Sequence, residues 1–161
     1  MYKRSGTSRK AKILVVDNEH TIALGLCAIL QSQGYEVATA FSGDDAVAVA
    51  IGFIPDLLVS DVRIGAMSGV KVATQITNML PHCSVLFLSN LSSMSDVLRV
   101  APKRLVYSFA SKPLHLLDLL NAIAYKLSAV KPLPDPAMLA VGHDLILRDV
   151  PERTLANVGF I

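Results

Sequence analysis

The chain has 161 residues, of which 52% are hydrophobic and 17% charged, and its formal net charge is +2. This composition excludes a disordered chain and suits one domain of ordinary size with some additional sequence. Five basic residues precede the first acid, and we interpret residues 1–11 as a flexible basic tail rather than a nucleic-acid-binding arm. With no signal-like or membrane-length apolar stretch, we expect a cytoplasmic protein that does not contact a membrane.

Strand-like and helix-like patterns alternate along the central part of the chain. Continuous apolar runs predict five strands, at 12–16, 35–40, 57–60, 84–88 and 104–110. Apolar residues at helical spacing predict five helices after these strands, over 22–33, 46–50, 70–80, 91–101 and 113–127. Ser42 is the predicted N-cap of the second helix, and Gly34 is placed to end the first.

Alternating strands and helices predict a parallel sheet that is covered on both faces. The fold class is therefore α/β, a flavodoxin-like (βα)5 doubly wound parallel sheet with strand order 2-1-3-4-5. In such sheets ligands bind beyond the carboxyl ends of the strands, at the point where the strand order reverses. This order places strands 1 and 3 side by side, so we expect Asp17 and Asp61 to share one pocket.

Four of the predicted strands deliver a reactive group at their carboxyl end: Asp17, Asp61, Ser89 and Lys112. A carboxylate can accept a phosphoryl group, and hard oxygen ligands favour Mg²⁺. We therefore predict Asp61 as acceptor, Asp17 as Mg²⁺ ligand, Lys112 as the cation facing the phosphoryl oxygens, and Ser89 as a hydroxyl that binds the attached phosphate.

Plainer interpretations of the same residues stay open at this point. Asp17 and Ser89 are both suited to cap the helix that follows them, and Lys112 to be a solvated lysine before a helix. The four histidines are not at metal-ligand spacing, so they receive no chemical role. Cys27 and Cys83 are predicted to be free thiols.

The sequence resembles the receiver domain of two-component response regulators from about Ala11 to Ser128. The resemblance rests on five segments in the expected order: Ile13–Glu19, Pro55–Val62, Met67–Gly69, Leu88–Ser89 and Lys112–Pro113. It implies that Asp61 receives a phosphoryl group from a phosphohistidine of a sensor kinase, or from a phosphotransfer protein. It also implies that Mg²⁺ is held by Asp17, Asp61 and the backbone carbonyl of Arg63, and that Ser89 and Phe109 form the switch pair.

The chain departs from the pattern of this family at several positions. Asn18 replaces the second of two adjacent acids, so either its amide or the carboxylate of Glu19 is the candidate additional metal ligand. Gly65 stands where proline is usual, and the fourth helix is expected to be short and irregular. These departures favour the alternative of a pseudo-receiver, a phosphorylation-independent protein-interaction module. A hydrolase is disfavoured because Arg63 stands where a second catalytic acid would be needed.

The predicted domain organisation is a tail at 1–11, a receiver domain at 12–128, and a Pro-rich linker with a short C-terminal extension at 129–161. Because the extension is too short for a core of its own, we expect no DNA-binding output domain and no contact with nucleic acid. Signalling would then proceed through an unknown output protein, and a homodimer is left open. Beyond its own phosphorylation and dephosphorylation, the chain is not expected to be an enzyme.

Overall fold

The structure, a computed structural model, describes residues 9–128 as alternating strands and helices. The strands are β1 (Lys12–Val16), β2 (Glu36–Ala40), β3 (Leu57–Asp61), β4 (Arg63–Ile64), β5 (Met67–Ser68), β6 (Ser84–Ser89) and β7 (Tyr107–Ser111). The helices are α1 (His20–Ser32), α2 (Gly43–Phe53), α3 (Gly69–Met79), α4 (Leu91–Val100) and α5 (Leu116–Leu127). Most of the predicted basic tail and the whole predicted linker and extension lie outside the described residues.

Five of the strands form one parallel sheet in the order β2-β1-β3-β6-β7. The two remaining strands, β4 and β5, pair with each other as a separate antiparallel hairpin. Counted without that hairpin, the order is 2-1-3-4-5, so the predicted flavodoxin-like fold is confirmed. The register aligns the carboxyl ends of the central strands, pairing Val16 with Ser60 and Asp61 with Leu88.

Each face of the sheet is covered by its own apolar cluster. One cluster combines strand residues such as Leu58 and Phe87 with α2, α3 and α4, and the other combines Leu57 and Leu86 with α1 and α5. Neighbouring strand residues point to opposite faces, so a strand that is buried on both sides must be apolar at every position. This explains the continuous apolar runs, and it leaves the strand ends as the place for polar chemistry.

Two predicted element boundaries are wrong, and one hairpin was not predicted. The last strand begins at Tyr107 rather than at 104, because the preceding residues form a turn in which the Leu105 N–H donates to the Pro102 carbonyl. The last helix begins at Leu116 rather than at Pro113, with His115 as its N-cap. The stretch after Asp61, for which the sequence predicted no strand, contains the β4–β5 hairpin.

Several local predictions are confirmed. The Ser42 side chain accepts from the Asp45 N–H at the start of α2, and Gly34 follows α1 with a φ of 92°. Cys27 and Cys83 are free thiols.

Helix α4 is the shortest helix of the described region, but its ten residues form a regular α-helix rather than an irregular one. Between residues 9 and 128, no helix is both long and apolar enough to cross a membrane.

Candidate functional site

The side chains of Lys112 and Asp61 meet at the carboxyl edge of the sheet, although 51 positions separate them in the chain. Lys112 Nζ lies 3.0 Å from Asp61 Oδ2, in a part-buried ion pair. Lys112 follows β7, and its backbone N–H donates to the Ser89 carbonyl at 2.8 Å. Since Asp61 ends β3 and Ser89 ends the neighbouring β6, this backbone bond aims the lysine across the strand ends toward the carboxylate.

Asp17 is buried directly after β1, with only 1% of its surface exposed. Its Oδ1 accepts a 2.8 Å hydrogen bond from the Glu19 N–H, whereas its Oδ2 is buried and has no hydrogen-bond partner. Burial raises the pKa of Asp17; the Glu19 N–H opposes this effect, and the negative charge of Asp61 adds to it. The pocket therefore holds a buried carboxylate oxygen that accepts no hydrogen bond, and the positive charge of Lys112 only partly offsets the effect of burial on the pKa of Asp17.

These residues fit a divalent cation. A buried carboxylate oxygen without a donor, electrostatically coupled to a second carboxylate, is the kind of hard oxygen ligand that Mg²⁺ binds. Within residues 9–128, no cluster of three or more His, Cys, Asp or Glu side chains could hold a metal by itself. A cation here would have to complete its shell with backbone or amide oxygens and water, which Mg²⁺ commonly does.

The remaining predicted metal ligands lie at the rim of the pocket. Asn18, Glu19 and Arg63 are all exposed. Glu19 is the N-cap residue of α1, and its backbone carbonyl accepts from the N–H groups of Ile22 and Ala23. Asp17 therefore stands ahead of the helix and bonds the N–H of the cap residue instead of being the cap, so the N-cap interpretation of Asp17 is wrong.

Ser89 is almost fully buried at the end of β6, and its hydroxyl donates to the backbone carbonyl of Asn90 at 2.8 Å. The N-cap of α4 is Asn90, whose Oδ1 accepts from the Ser93 N–H at 2.9 Å and from the Ser92 hydroxyl at 2.8 Å. Ser89 is therefore not a helix cap. The sequence prediction missed the capping role of Asn90, although asparagine is among the preferred N-cap residues.

Phe109 lies inside the core, 1% exposed, and not at the surface. Its ring centroid is 5.4 Å from that of Tyr107 and 6.1 Å from that of Phe87. Tyr107 and Phe87 also contact each other edge to face, so the three rings form one aromatic cluster beneath α4. The predicted switch aromatic thus occupies an inward position, which dispersion and quadrupole interactions with two neighbouring rings stabilise.

The backbone that follows Asp61 is packed closely, a feature that the sequence prediction missed. The Ser60 hydroxyl donates to the Asp61 carbonyl at 2.8 Å, and the Gly69 N–H donates to the Val62 carbonyl at 2.7 Å. A Cβ at Gly69 would come within 2.1 Å of the Asp61 carbonyl oxygen. Only glycine fits this contact, and the isolated glycine after a Met-Ser pair was the sequence signal for it.

Gly65, the residue in place of the usual proline, has a structural role in the hairpin. Ile64 pairs with Met67, so Gly65 and Ala66 form a two-residue turn. Gly65 has a φ of 59° and Ala66 does not have a positive φ, the pattern of a type II′ turn in which glycine is preferred at the first position. Proline cannot adopt this φ, so the glycine is required by the conformation of this hairpin.

The fold and this pocket define a class of protein: a doubly wound parallel sheet with two carboxylates, a lysine and a buried hydroxyl at its switch point. The sequence profile described as the response regulator receiver domain matches residues 13–124. The chain therefore belongs to the response regulator receiver family, the signal-receiving module of two-component systems. Receiver domains interact with histidine kinases or phosphotransfer proteins, and they generally bind Mg²⁺ at the phosphorylation site.

Curated relatives are similar to the chain over the receiver region. The transcriptional regulatory protein GlrR of Escherichia coli is 32% identical over 127 residues, which are 79% of this chain and 28% of that protein. The transcriptional regulatory protein ZraR of Salmonella typhimurium is 34% identical over 105 residues, 65% of this chain and 24% of that protein. The chain thus spans about a quarter of the length of these relatives.

Solved structures show the same fold. A response regulator receiver domain protein of Clostridium thermocellum superposes with a TM-score of 0.66 at 26% identity, covering 73% of this chain and 94% of that chain. The chemotaxis protein CheY4 of Vibrio cholerae gives a TM-score of 0.63 at 26% identity, covering 73% of this chain and 99% of that chain. Both neighbours match nearly their whole length to the region that carries the pocket.

Proposed function

We propose that the chain is a phosphoryl-accepting receiver and that Asp61 is the acceptor. The observation that carries this proposal is the 3.0 Å ion pair between Lys112 Nζ and Asp61 Oδ2, beside a buried carboxylate oxygen of Asp17 that has no partner. This ion pair places the Lys112 ammonium beside Asp61, where it can also face the oxygens of an incoming phosphoryl group. The unpaired Asp17 oxygen supplies a place for a second cation on the same pocket.

In the proposed reaction, an Asp61 carboxylate oxygen attacks the phosphorus of a phosphohistidine. The new O–P bond forms an acyl phosphate, while the N–P bond breaks and the histidine nitrogen leaves with the bonding pair and takes up a proton. The Lys112 ammonium stabilises negative charge on the phosphoryl oxygens during the transfer, where catalysis is mostly positioning and electrostatics.

Mg²⁺ would supply further charge stabilisation to the same oxygens when it is bound. Its proposed ligands are Asp17, Asp61 and the backbone carbonyl of Arg63, with the amide of Asn18 or the carboxylate of Glu19 as an additional oxygen. Asn18 brings no charge, so the site would hold Mg²⁺ more weakly than one with a third carboxylate. The Ser89 hydroxyl, now bonded to the Asn90 carbonyl, would exchange that partner for the attached phosphoryl group.

The output of this receiver is proposed to pass through protein contacts. The curated relatives are named as transcriptional regulatory proteins, and this chain matches only their receiver-length portion. Signalling without a DNA-binding domain therefore stays a prediction. The partner that delivers the phosphoryl group would be a sensor histidine kinase or a phosphotransfer protein, in keeping with the family.

The experiment that tests the proposal is intact mass spectrometry after incubation with acetyl phosphate and Mg²⁺. Wild type should gain one phosphoryl group, and Asp61→Ala should gain none. Lys112→Met, which keeps a similar side-chain length without the charge, should be labelled much more slowly. An adduct of equal yield on Asp61→Ala would show that the acceptor lies elsewhere.

A second candidate function is the phosphorylation-independent interaction module. The observation that favours it is the exposed, uncharged Asn18 at the rim of the pocket. Among the described residues that form this pocket, the buried or part-buried acids are Asp17 and Asp61, so the pocket carries less negative charge to hold a metal. If wild type gains no adduct and also fails to bind beryllofluoride, this second function would be supported and the first one rejected.

A further inference from the structure

Two residues that have no role in the mechanism above, Ser60 and Gly69, hold the backbone between Asp61 and Arg63. Ser60 is completely buried within β3, and its hydroxyl donates to the Asp61 carbonyl at 2.8 Å. Gly69 begins α3, lies against that same carbonyl oxygen, and donates its N–H to the Val62 carbonyl at 2.7 Å. The carbonyl groups of Asp61 and of the next residue, Val62, are thus each held by a specific contact.

This arrangement limits the path of the chain into β4. A peptide group is planar, so fixing the Asp61 carbonyl fixes the plane that joins Asp61 to Val62. The bond from Gly69 to the next carbonyl fixes the following plane. With both planes set, and Arg63 paired to Ser68 in the hairpin, little freedom is left for the carbonyl of Arg63 relative to the Asp61 side chain.

The chemistry of Ser60 is unusual for its surroundings. It lies on a strand whose other residues before Asp61 are all apolar and buried, and a hydroxyl in such a layer costs free energy unless it is hydrogen-bonded. Its hydroxyl donates to the backbone carbonyl of Asp61, the residue proposed to receive the phosphoryl group. The polar group is thus directed at the backbone of the site instead of at the core.

We propose that Ser60 is a positioning residue for the cation site: its hydroxyl, opposite the bare Cα of Gly69, sets the backbone so that the Asp61 carboxylate and the Arg63 carbonyl face one cation. The inference rests on the proposed function, because it assumes that these oxygens bind Mg²⁺. Ser60 contacts neither cation nor phosphoryl group. It acts through Asp61, as outer-shell partners of metal ligands generally do.

The test is a Mg²⁺ titration by isothermal titration calorimetry without any phosphoryl donor, on wild type, Ser60→Ala and Ser60→Thr. Ser60→Ala should bind Mg²⁺ roughly tenfold more weakly, in the range seen for losses of outer-shell partners. Ser60→Thr, which keeps the hydroxyl, should stay within about threefold of wild type. Urea unfolding in EDTA should show that both variants are folded.

Ser108→Ala is the matched control. Ser108 is also a completely buried serine in the same sheet, on β7, but its hydroxyl has no hydrogen-bond partner. Its removal should leave the Mg²⁺ dissociation constant unchanged. Equal Mg²⁺ affinity of Ser60→Ala and wild type would overturn the inference and leave the proposed function standing, as would an equal loss of affinity in Ser60→Thr. A wild type that binds no Mg²⁺ and gains no phosphoryl group would overturn both.

Discussion

Ser89 and Asn90 are joined by a hydrogen bond that links the proposed phosphate site to helix α4. The Ser89 hydroxyl donates to the Asn90 carbonyl at 2.8 Å, while the Asn90 side chain caps the helix through the Ser93 N–H. Asn90 thus contacts the Ser89 hydroxyl with its backbone and the helix with its side chain. Movement of Ser89 toward a phosphoryl group would therefore release a bond at the first residue before α4.

The capping role of Asn90 is testable by stability. Asn90→Ala removes the acceptor for the Ser93 N–H, so we expect the free energy of unfolding to fall by about 1 kcal/mol. Asn90→Ser keeps a capping oxygen and should lose only a fraction of that. Urea unfolding monitored by circular dichroism measures both. Equal stability of the alanine and serine variants would argue against the cap.

The contact between Gly69 and the Asp61 carbonyl predicts a strongly unfavourable substitution. Gly69→Ala would place a Cβ 2.1 Å from a backbone oxygen, so the chain has to move. We expect a loss of stability of about 1–3 kcal/mol, together with slower labelling by acetyl phosphate. Thermal unfolding and the labelling rate are the two measurements.

Gly52→Ala is the control for this glycine. Gly52 lies within α2, and a Cβ there would meet no atom within 4 Å. Because alanine has the higher helix propensity, this variant should gain about 0.5–1 kcal/mol. If both glycine variants lose stability equally, the close approach at Gly69 is not the cause.

Asp17 predicts a conflict between stability and metal binding. Burial raises the pKa of Asp17 despite the Glu19 N–H, and its Oδ2 has no partner, so the ionised form destabilises the metal-free fold at neutral pH. Asp17→Asn should therefore stabilise the protein in EDTA by about 1 kcal/mol. Added Mg²⁺ should raise the melting temperature of wild type and raise that of Asp17→Asn by clearly less, because the variant loses one charged ligand. A destabilised asparagine variant in EDTA would contradict this account.

Asp56 predicts the opposite sign at the other end of the sheet. Burial opposes its ionisation, but the Lys12 N–H and the Arg9 guanidinium donate to its carboxylate at 2.8 and 2.7 Å, so the pKa of Asp56 is lowered from 3.8. A lowered folded-state pKa stabilises the protein above the unfolded pKa, and this contribution is lost as pH falls through the folded pKa. Asp56→Asn should cost about 1–2 kcal/mol at pH 7.

The difference between wild type and Asp56→Asn should shrink as the pH falls below about 4, where the wild-type carboxylate becomes protonated. Urea unfolding at several pH values measures it. Arg9→Ala should cost less than Asp56→Asn, because Arg9 is 65% exposed and its ion pair is screened by solvent. A stability difference that is constant from pH 7 to pH 3 would rule out ionisation of Asp56 as its source.

The strand order and the approximate location of the pocket were predictable from the amino-acid sequence. Continuous apolar strands and alternating helices leave few ways to wind a parallel sheet, and the groups at the strand ends must then meet at one edge. The meeting of Asp61 and Lys112 follows from that logic, as does the nearness of Asp17 to Asp61. These features depend on the periodicity of apolar residues and on the order of strands and helices, both of which are visible in the sequence.

Features that depend on contacts between distant segments became visible only in the folded chain. Residue types offered candidates, a glycine at position 69 and two possible caps at positions 89 and 90, but they did not specify the contacts. Packing decided the approach of Gly69 to the Asp61 carbonyl, the Ser60 hydroxyl bond and the choice of Asn90 as the cap of α4. The start of α5 three residues after Pro113 belongs to the same group. Each of these features depends on which backbone N–H and carbonyl groups come together when the elements pack. Residue spacing along the chain does not specify that.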